Sequence, residues 1–300
     1  MDIPNRQGKT IDLHVHSHIS DGTYSPAGLA QLAKKIGLAA FALTDHDHIA
    51  GNAEAQAEAG RLGIGFLPGM ELSISWQGRT LHVVCIGFDM ENEGFRAFYR
   101  RVRSIKEGRI GDIIAGIRRR AQGFTISEEL VRPFANGLAI DRYAIMRYLV
   151  SLHLYDRVQP LWDRYINPAV SEAGMDIGIS PEEAFPAIHA AGGVCSLAHF
   201  HKQIGLLGLS REEQEKAILA LHEMGLDGME RYYPNYTDED RAFAAHMIDA
   251  HHLLETGGTD FHGGNRLGIE LGTGRDGNIA VPAAFFGRIA ERVRCCTMPA

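Results

Sequence analysis

Histidine and acidic residues concentrate in two short segments that lie far apart in this chain of 300 residues. The first segment, IDLHVHSHISDG at residues 11–22, contains His14, His16 and Asp21, and the second is GTDFH at residues 258–262. Side chains alternate along a β-strand, so the imidazoles of His14 and His16 are expected on the same face. Imidazole and carboxylate groups gathered where a strand ends are typical metal ligands. These spacings therefore predict metal chemistry.

Other apolar, strand-like runs carry the same residue types. Five of the six runs that do so carry them at the C-terminal end, whereas the run at residues 81–88 carries its histidine near its start. If the strands form a barrel, their C-terminal ends meet at the face where such barrels place their active sites. Burying so many ionisable groups together is costly unless cations compensate their charge. The further candidate ligands are His46, Glu71, His82, His199, Asp260 and His262.

Two acidic residues, Asp45 and Asp47, flank His46 and have a second interpretation. Either could be the N-cap of the helix that follows, because aspartate is favoured at that position, and we expect that at least one of them is. The other histidines are interpreted as surface or packing residues: His18, His48, His153, His189, His222, His246, His251 and His252.

The ligand types limit the choice of metal. The candidate set mixes imidazole and carboxylate without cysteine, which suits Mn²⁺, Fe²⁺ or Zn²⁺. The candidates outnumber the ligands that one ion accepts, so we expect two or three divalent ions, with Mn²⁺ favoured. Such a cluster generates a bridging hydroxide nucleophile at neutral pH and clamps a phosphoryl group during in-line displacement. The residues thus predict hydrolysis of phosphate esters.

The elements that must position these residues follow from the spacing of apolar residues. Short apolar runs alternate with helical patterns, which indicates βα units and a parallel sheet. A chain of this length fits one large α/β barrel or two ordinary domains, and we predict an α/β fold with a distorted (β/α)7 barrel. The predicted strands are residues 10–14, 39–44, 65–71, 81–88, 193–198, 228–232 and 253–259, and the predicted helices include residues 25–36 and 49–62.

Residues 95–175 break this alternation. The segment has helical periodicity and no repeat or low-complexity linker at its edges. We therefore predict two domains: a barrel formed by residues 1–94 and 176–300, and a small helical insertion that caps the substrate.

Residues 100–120 of the insertion are rich in basic side chains. Arg103, Lys106 and Arg109 recur at three-residue spacing, so they are expected to line one face of a helix. Such a face could bind a second phosphate of the substrate, distant from the metal ions. The arginines at residues 118–120 are interpreted as a solvated helix face instead.

The overall composition excludes several classes of protein. The net charge of −7 argues against whole-molecule attraction to nucleic acid, and no apolar run reaches transmembrane length. The N-terminal residues lack the apolar segment of a signal peptide. Cys85 and Cys195 lie in strand-like runs and are expected to be buried thiols, while Cys295 and Cys296 add no disulfide-framework spacing. We expect a cytoplasmic enzyme with no membrane partner and no obligate protein partner.

Seven motifs of this chain resemble the successive motifs of the PHP (polymerase and histidinol phosphatase) family, an amidohydrolase-like group. They follow the family's order and span nearly the whole chain outside the insertion: DLHVHSHISDG, ALTDHD, PGMELS, LHVVCIGF, GGVCSLAH, LDGMERYY and GGTDFHG. The resemblance implies a distorted seven-stranded barrel with a two- or three-metal site.

The resemblance also implies a division of the ligands among the ions. Glu71 would bridge two ions, and Asp21, His46, Glu71 and Asp260 would be the catalytic members of the site. The implied ligands, ion by ion, are His14, His16, Glu71 and Asp260 for the first; Glu71, His82 and His199 for the second; and Asp21, His46 and His262 for the third.

The helical insertion resembles that of one subfamily, which contains nucleoside 3′,5′-bisphosphate phosphatases and 5′-to-3′ exonucleases on short RNA. We therefore expect a phosphatase that converts a nucleoside 3′,5′-bisphosphate such as pAp to AMP and phosphate. The open alternatives are an exonuclease on short 5′-phosphorylated RNA or DNA, and a non-catalytic metal-binding module. The expected partner is a small nucleotide or a short oligonucleotide.

The substrate contacts are expected mainly in the insertion, where the chain departs from its relatives. Relatives carry a Gly-Arg-Pro-His element, whereas this chain has Asp141, Arg142, Tyr143 and Ala144 at the equivalent place, so the histidine is missing. His201 is a candidate replacement. The candidate substrate contacts are Arg103, Lys106, Arg109, Asn136, Arg142 and His201.

Overall fold

The computed structural model describes residues 10–174 and 178–297 of the chain. The chain divides into two compact units, one formed by Met1–Phe98 with Ile179–Ala300 and the other by Tyr99–Gly178. The sequence-based domain boundary at residue 175 lies outside the described residues. The role of the second unit as a substrate cap stays a prediction.

The first unit is built on one eight-stranded sheet. Its strands are β1 Thr10–Asp12, β2 Ala40–Leu43, β3 Gly65–Trp76, β4 Arg79–Ile86, β5 Val194–Leu197, β6 Gly228–Tyr232, β7 Leu254–Gly257 and β8 Val281–Pro282. Their order in the sheet is β7-β6-β5-β4-β3-β2-β1-β8. The sheet nearly closes into a barrel, because the Leu13 N–H donates to the Gly257 carbonyl at 3.2 Å and Val15 bridges Phe261 in parallel. The predicted α/β barrel class is confirmed.

The sheet departs from the expected parallel arrangement at two strands. Strand β4 runs antiparallel to both β3 and β5, and β8 is an additional strand antiparallel to β1. Strand β3 extends to Trp76 and turns into β4 through Gln77 and Gly78, both with positive φ, as a two-residue hairpin requires. Because β4 is reversed, its first residues lie at the same end of the barrel as the last residues of the parallel strands. This reversal explains why His82 lies near the start of its run.

Helices flank the sheet and fill the second unit. They are α1 Pro26–Lys35, α2 Asn52–Leu62, α3 Glu93–Glu107, α4 Ile110–Arg120, α5 Glu128–Val131, α6 Arg142–Ser151, α7 Gln159–Leu161, α8 Asn167–Glu172, α9 Pro181–Ala190, α10 Arg211–Glu223, α11 Asp238–His251 and α12 Ala284–Thr297, with short 3₁₀ or π segments at Arg132–Ala135, Trp162–Ile166 and Gly263–Asn265. No helix among the described residues is long and apolar enough to cross a membrane.

Strand β2 shows how the barrel core is assembled. Ala40 and Ala42 pack in one buried apolar cluster, while the alternating Phe41 and Leu43 pack in a second cluster with Leu29 of α1. This alternation with period two is the expected behaviour of a strand that is covered on both faces. The strand ends are thereby fixed, and with them the residues that follow.

The second unit has its own buried apolar cluster, drawn from α4, α6, α8 and the segments between them. Helix α3 ends at Glu107 and α4 begins after Arg109, whose φ of 56° is in the left-handed region. The expectation that Arg103, Lys106 and Arg109 line one helix face is therefore wrong, because the chain turns between the second and third of these residues.

The cysteine expectations are confirmed where the structure describes them. Cys85 and Cys195 are both buried and neither forms a disulfide. Their Sγ atoms lie 4.0 Å apart on the paired strands β4 and β5. The side chains of Cys295 and Cys296 lie outside the described part of the structure.

Candidate metal centre

The predicted ligands come together at one end of the barrel. They are supplied by the segments that follow β1, β2, β5 and β7, by the middle of β3 and by the start of β4. All are buried except Asp21, which is partly exposed. The residues brought together are His14, His16, Asp21, His46, Glu71, His82, His199, Asp260 and His262.

Glu71 is the centre of this arrangement and is fully buried. Its Oε1 atom lies 2.8 Å from both His82 Nδ1 and His199 Nε2. Its Oε2 atom lies within 3.2 Å of a ring nitrogen on each of three further residues, namely His14, His16 and His46. One carboxylate therefore contacts five imidazoles, which is the arrangement expected of a group that bridges ions.

Two aspartates complete the ring of ligands on either side of His16. Asp260 Oδ1 lies 3.2 Å from His16 Nε2 and 3.6 Å from His14 Nε2. Asp21 Oδ1 lies 3.2 Å from His262 Nε2, and the other Asp21 oxygen lies 3.7 Å from a nitrogen of His46. Each aspartate thus shares a histidine neighbour with Glu71.

The ligand atoms form three overlapping groups, each compact enough to hold one divalent ion. They are His14, His16, Glu71 and Asp260; His46, Glu71 and His82; and His16, Asp21, His46 and His262. In this geometry His16 and His46 each belong to two groups, and His199 contacts Glu71 without joining a group. The assignment of each ligand to a particular ion stays a prediction.

Several ligand atoms are buried and make no hydrogen bond among the described residues. They are His14 Nε2, both ring nitrogens of His16, Asp21 Oδ1 and Glu71 Oε2. A buried polar atom without a partner costs about 1–3 kcal/mol, so a native site seldom contains several. Divalent ions would satisfy all of them at once, and the residues present therefore fit a metal cluster.

The charges of the site point the same way. Burial alone would raise the pKa of Asp260, but Arg266 and Lys202 hold it well below its usual range. Burial would lower the pKa of His16, but the carboxylates of Asp260 and Glu71, each 3.2 Å from its Nε2 atom, raise it to about 9. Without metal, His16 therefore carries a proton at neutral pH, and this proton provides part of the positive charge that the carboxylates require.

Glu230, at the middle of β6, is a functional residue that the sequence reasoning missed. It is buried, and its Oε1 atom lies 2.7 Å from His14 Nδ1. Its other oxygen accepts the His199 backbone N–H at 2.7 Å. A carboxylate on the far nitrogen of a ligating histidine fixes the ring orientation and raises its basicity. The signal was present, since Glu230 lies in the motif LDGMERYY on a predicted strand.

Asp45 and Asp47 support the ligand segments, and the interpretation of either as a helix N-cap is wrong. Asp45 accepts hydrogen bonds from the hydroxyls of Ser17 and Ser20 at 2.6 and 2.7 Å. Asp47 accepts the backbone N–H of Ser73 at 2.8 Å and its hydroxyl at 3.0 Å. Helix α2 begins too far along the chain to be capped by either residue. Both carboxylates instead tie neighbouring ligand-bearing segments together.

Asp12 has the same supporting role at the closure of the barrel. It accepts the backbone N–H and the hydroxyl of Thr259 at 2.9 and 2.5 Å and the backbone N–H of Gly272 at 2.8 Å. Burial raises its pKa to about 6, against the opposing effect of these hydrogen bonds. Asp12 thereby links the segment that carries His14 to the segment that carries Asp260.

The predicted substrate contacts are divided between the two units. Arg103 is buried in the second unit and donates to Asp141 at 3.1 Å and to Glu107 at 2.9 Å, while Arg109 donates to the Ala173 carbonyl. The Asp141 side chain also caps α6 by accepting the backbone N–H groups of Tyr143 and Ala144. Asp141 therefore has a structural role in the segment where this chain departs from its relatives. Arg103 therefore has a structural partner.

The remaining predicted contacts are more accessible. Asn136 is exposed with a left-handed backbone, and the Arg142 guanidinium lies 5.0 Å from the centre of the Tyr143 ring. His201, in the first unit, packs its half-buried ring 5.5 Å from that of Tyr233. Lys106 is partly exposed in α3. Contact of any of these residues with substrate stays a prediction.

A family profile of the PHP domain matches residues 12–241 of this chain. Among curated proteins, the 3′,5′-nucleoside bisphosphate phosphatase of Chromobacterium violaceum is 32% identical over 89% of this chain and 92% of its own. The 5′-3′ exoribonuclease of Haemophilus influenzae is 30% identical over 85% of this chain and 90% of its own.

Solved structures show the same similarity. A candidate metal-dependent phosphoesterase from Bifidobacterium adolescentis superimposes with a TM-score of 0.78 at 27% identity, covering 94% of this chain and 96% of its own. An amidohydrolase from Chromobacterium violaceum, described with bound sulfate and no metal, gives a TM-score of 0.76 at 30% identity with the same coverage.

Proposed function

Because the chain belongs to the PHP family and is a metal-dependent phosphoesterase, we propose that it removes the 3′-phosphate from nucleoside 3′,5′-bisphosphates such as pAp. Membership of the family and metal-dependent hydrolysis of phosphate esters were both predicted from the sequence motifs, and both predictions are confirmed. The observation that carries the choice of substrate is the similarity to a bisphosphate phosphatase along 92% of that protein's length. The products would be AMP and phosphate.

Two or three divalent ions would be held by the three ligand groups that share His16, His46 and Glu71. When bound, such ions supply Lewis acidity, which activates water and neutralises charge on phosphoryl oxygens. Mn²⁺ is the ion we propose, since imidazole and carboxylate ligands without thiolate suit it. We also propose a cytoplasmic location.

The protein's own residues keep the ligands in place during turnover. Glu230 holds His14 through Nδ1, so that the Nε2 atom is directed at Glu71. Asp45 accepts the Ser17 hydroxyl from the segment after β1, and Asp47 accepts the Ser73 hydroxyl from β3. These hydrogen bonds limit the movement of His46, which lies between the two aspartates. Such fixed ligands cost little reorganisation when charge develops on the phosphoryl group.

We further propose that cations of the second unit bind the 5′-phosphate that remains on the product. Arg142 is the residue retained from the element that relatives carry, and Lys106 is partly exposed. Guanidinium and ammonium groups form charge-assisted hydrogen bonds to phosphate oxygens. Selectivity for a bisphosphate over a monophosphate would follow from this second anchor.

A second candidate activity is 5′-to-3′ exonuclease action on short 5′-phosphorylated RNA. The observation that favours it is the similarity to the Haemophilus influenzae exoribonuclease along 90% of that protein's length. The same ligand groups would serve a phosphodiester. A non-catalytic module is disfavoured, because it would be expected to lack ligands and all the candidates are present together.

The test compares four substrates with purified protein and Mn²⁺: pAp, 3′-AMP, a 5′-phosphorylated RNA trimer and p-nitrophenyl phosphate. We expect pAp to exceed 3′-AMP, which lacks only the 5′-phosphate, by about tenfold or more in kcat/KM, the effect of one charge-assisted phosphate contact. An Asp260→Asn variant, expected to be inactive on all four, controls for contaminating phosphatases. Release of nucleotide from RNA with no phosphate from pAp would overturn the proposal in favour of the exonuclease.

A further inference from the structure

One oxygen of Asp260 collects three donors from outside the ligand groups. Lys202 Nζ lies 3.0 Å from Oδ2, the Tyr233 hydroxyl donates to it at 2.7 Å, and Arg266 forms an ion pair with it. Asp260 is buried, so these contacts are well shielded from water. Two cations therefore share a single carboxylate, so these three groups together carry one net positive charge.

The two oxygens of Asp260 have different partners. Oδ1 faces the candidate metal group, 3.2 Å from His16 Nε2, whereas the cations lie on Oδ2. The positive groups thus lie one carboxylate away from the predicted position of the ions. A substrate phosphate that reached the ions would come close to both cations.

Donor capacity remains on the cations after the Asp260 contacts are made. The Lys202 ammonium makes one hydrogen bond among the described residues, so two of its three N–H groups are available, and the side chain is 27% exposed. Arg266 is 20% exposed and also donates to the Tyr233 hydroxyl at 2.7 Å. A carboxylate that needed only a counter-ion would be satisfied by Arg266 alone.

The Tyr233 ring holds both cations in place. Lys202 Nζ lies 5.0 Å and the Arg266 guanidinium 5.5 Å from the centre of this ring, within the range of cation–π attraction. Tyr233 is itself buried. The phenol is therefore a positioning residue, which fixes the cations without carrying charge.

We propose that Lys202 and Arg266 form an anion subsite of the barrel that binds the phosphoryl group about to be hydrolysed. An ammonium and a guanidinium together match the charge and the hydrogen-bond acceptors of a phosphate monoester dianion. The subsite deepens the proposed phosphoesterase site and rests on it, but it does not depend on which ester is the substrate. It also differs from the anchor expected in the second unit, because both cations belong to the barrel.

The principal test measures binding of inorganic phosphate by calorimetry, in metal-free protein and with Mn²⁺, together with inhibition by phosphate of p-nitrophenyl phosphate hydrolysis. Lys202→Gln should weaken phosphate binding about tenfold or more, the effect of losing one charge-assisted contact, while the Mn²⁺ content is unchanged. Lys202→Arg should restore most of the affinity. The matched control is Lys216→Gln, which removes an exposed lysine paired with Glu212 and should change neither quantity.

A second variant distinguishes the positive charge of Lys202 and Arg266 from the hydrogen bond that Tyr233 donates to Asp260. Tyr233→Phe removes a donor from Oδ2 but keeps both cations, so phosphate binding should stay close to that of the unmodified protein. Unchanged phosphate affinity in Lys202→Gln would overturn the proposal, as would loss of Mn²⁺ with phosphate affinity retained, because the cations would then serve only Asp260. Failure to hydrolyse pAp would leave the phosphate result unaffected, so the two proposals fail separately.

Discussion

Two clusters of ligand-type residues in the barrel unit look alike by composition and differ in their hydrogen bonds. The metal centre and the group formed by His189, Cys195 and Asp227 both bring three or more potential ligand atoms within 4.8 Å of one another. In the second group the Asp227 Oδ2 atom accepts the Cys195 backbone N–H and lies 2.8 Å from His189 Nε2. Its carboxylate is therefore already occupied.

In the metal centre, several buried ligand atoms have no hydrogen-bond partner of this kind. The Nε2 atom of His14, both ring nitrogens of His16 and the Oε2 atom of Glu71 are buried without a hydrogen bond in the described chain. Burial also raises the pKa of Cys195 well above its usual value, so the second group offers a protonated thiol, which is a poor ligand. Ligand types in proximity thus do not define a metal site; buried atoms that still need a partner do.

The strongest test of this contrast is Glu71→Gln. Removing the charge that five imidazoles surround should abolish binding of at least one ion and lower kcat/KM by about a thousandfold or more. Metal content by elemental analysis and phosphate release measure the two effects. Full metal content with normal activity would contradict the central role of Glu71, and circular dichroism checks that the variant folds.

Glu230→Gln tests a residue that orients the candidate ligand His14 and is not itself a candidate ligand. The amide cannot accept from His14 Nδ1 and from the His199 backbone as the carboxylate does, so Mn²⁺ affinity should fall about 10–100-fold. Titration with Mn²⁺, followed by activity and by calorimetry, measures the change. Unaltered affinity would show that the contact at 2.7 Å is only structural.

The pH dependence of metal binding follows from the raised pKa of His16, about 9. Mn²⁺ requires neutral imidazoles, and against the effect of burial the carboxylates of Glu71, Glu230 and Asp260 also raise the pKa of His14. Mn²⁺ affinity should therefore rise about tenfold or more per pH unit between roughly pH 7 and pH 9, with at least one proton released. The sign for the metal-free fold is opposite: stability from protonated His16 is complete below about pH 6.5 and is lost as the pH rises through 9. Calorimetry in buffers of different ionisation enthalpy counts the protons, and a flat profile would contradict this account.

The smallest effect on metal is expected for Asp227→Asn, in the satisfied cluster. Metal content and kcat/KM should stay at the level of the unmodified protein, whereas loss of the bonds to His189 and Cys195 should lower the free energy of unfolding by about 1–3 kcal/mol. Denaturant unfolding measures the second quantity. Loss of bound Mn²⁺ in this variant would place a metal in the second cluster and remove the contrast.

The reversal of β4 shows what the sequence reasoning could have reached. Trp76-Gln77-Gly78-Arg79 contains a two-residue loop between β-rich runs, and both loop residues adopt positive φ. This is a hairpin signal, and it makes β4 antiparallel to β3. With that signal, His82 would no longer have been an exception, because the start of a reversed strand lies at the C-terminal end of its neighbours.

Other features were beyond local reasoning. Asp45 and Asp47 have the composition of helix caps, and only the positions of Ser17 and Ser73, far away in sequence, give them supporting roles. Arg103 lies in a basic helical run, but its partner Asp141 is 38 residues away. Hydrogen-bond partners of this kind depend on how segments meet in space, so periodicity and spacing do not predict them.

The sequence by itself determined the ligand types, the α/β barrel class and the family, because alternation along strands and short motifs are local properties. The tertiary structure alone decided that Glu71 contacts five imidazoles, that Glu230 holds His14, and that Asp260 divides its oxygens between histidines and cations. These relations arise from the closure of the barrel, which brings distant segments together and leaves buried donors and acceptors either paired or in need of a metal ion.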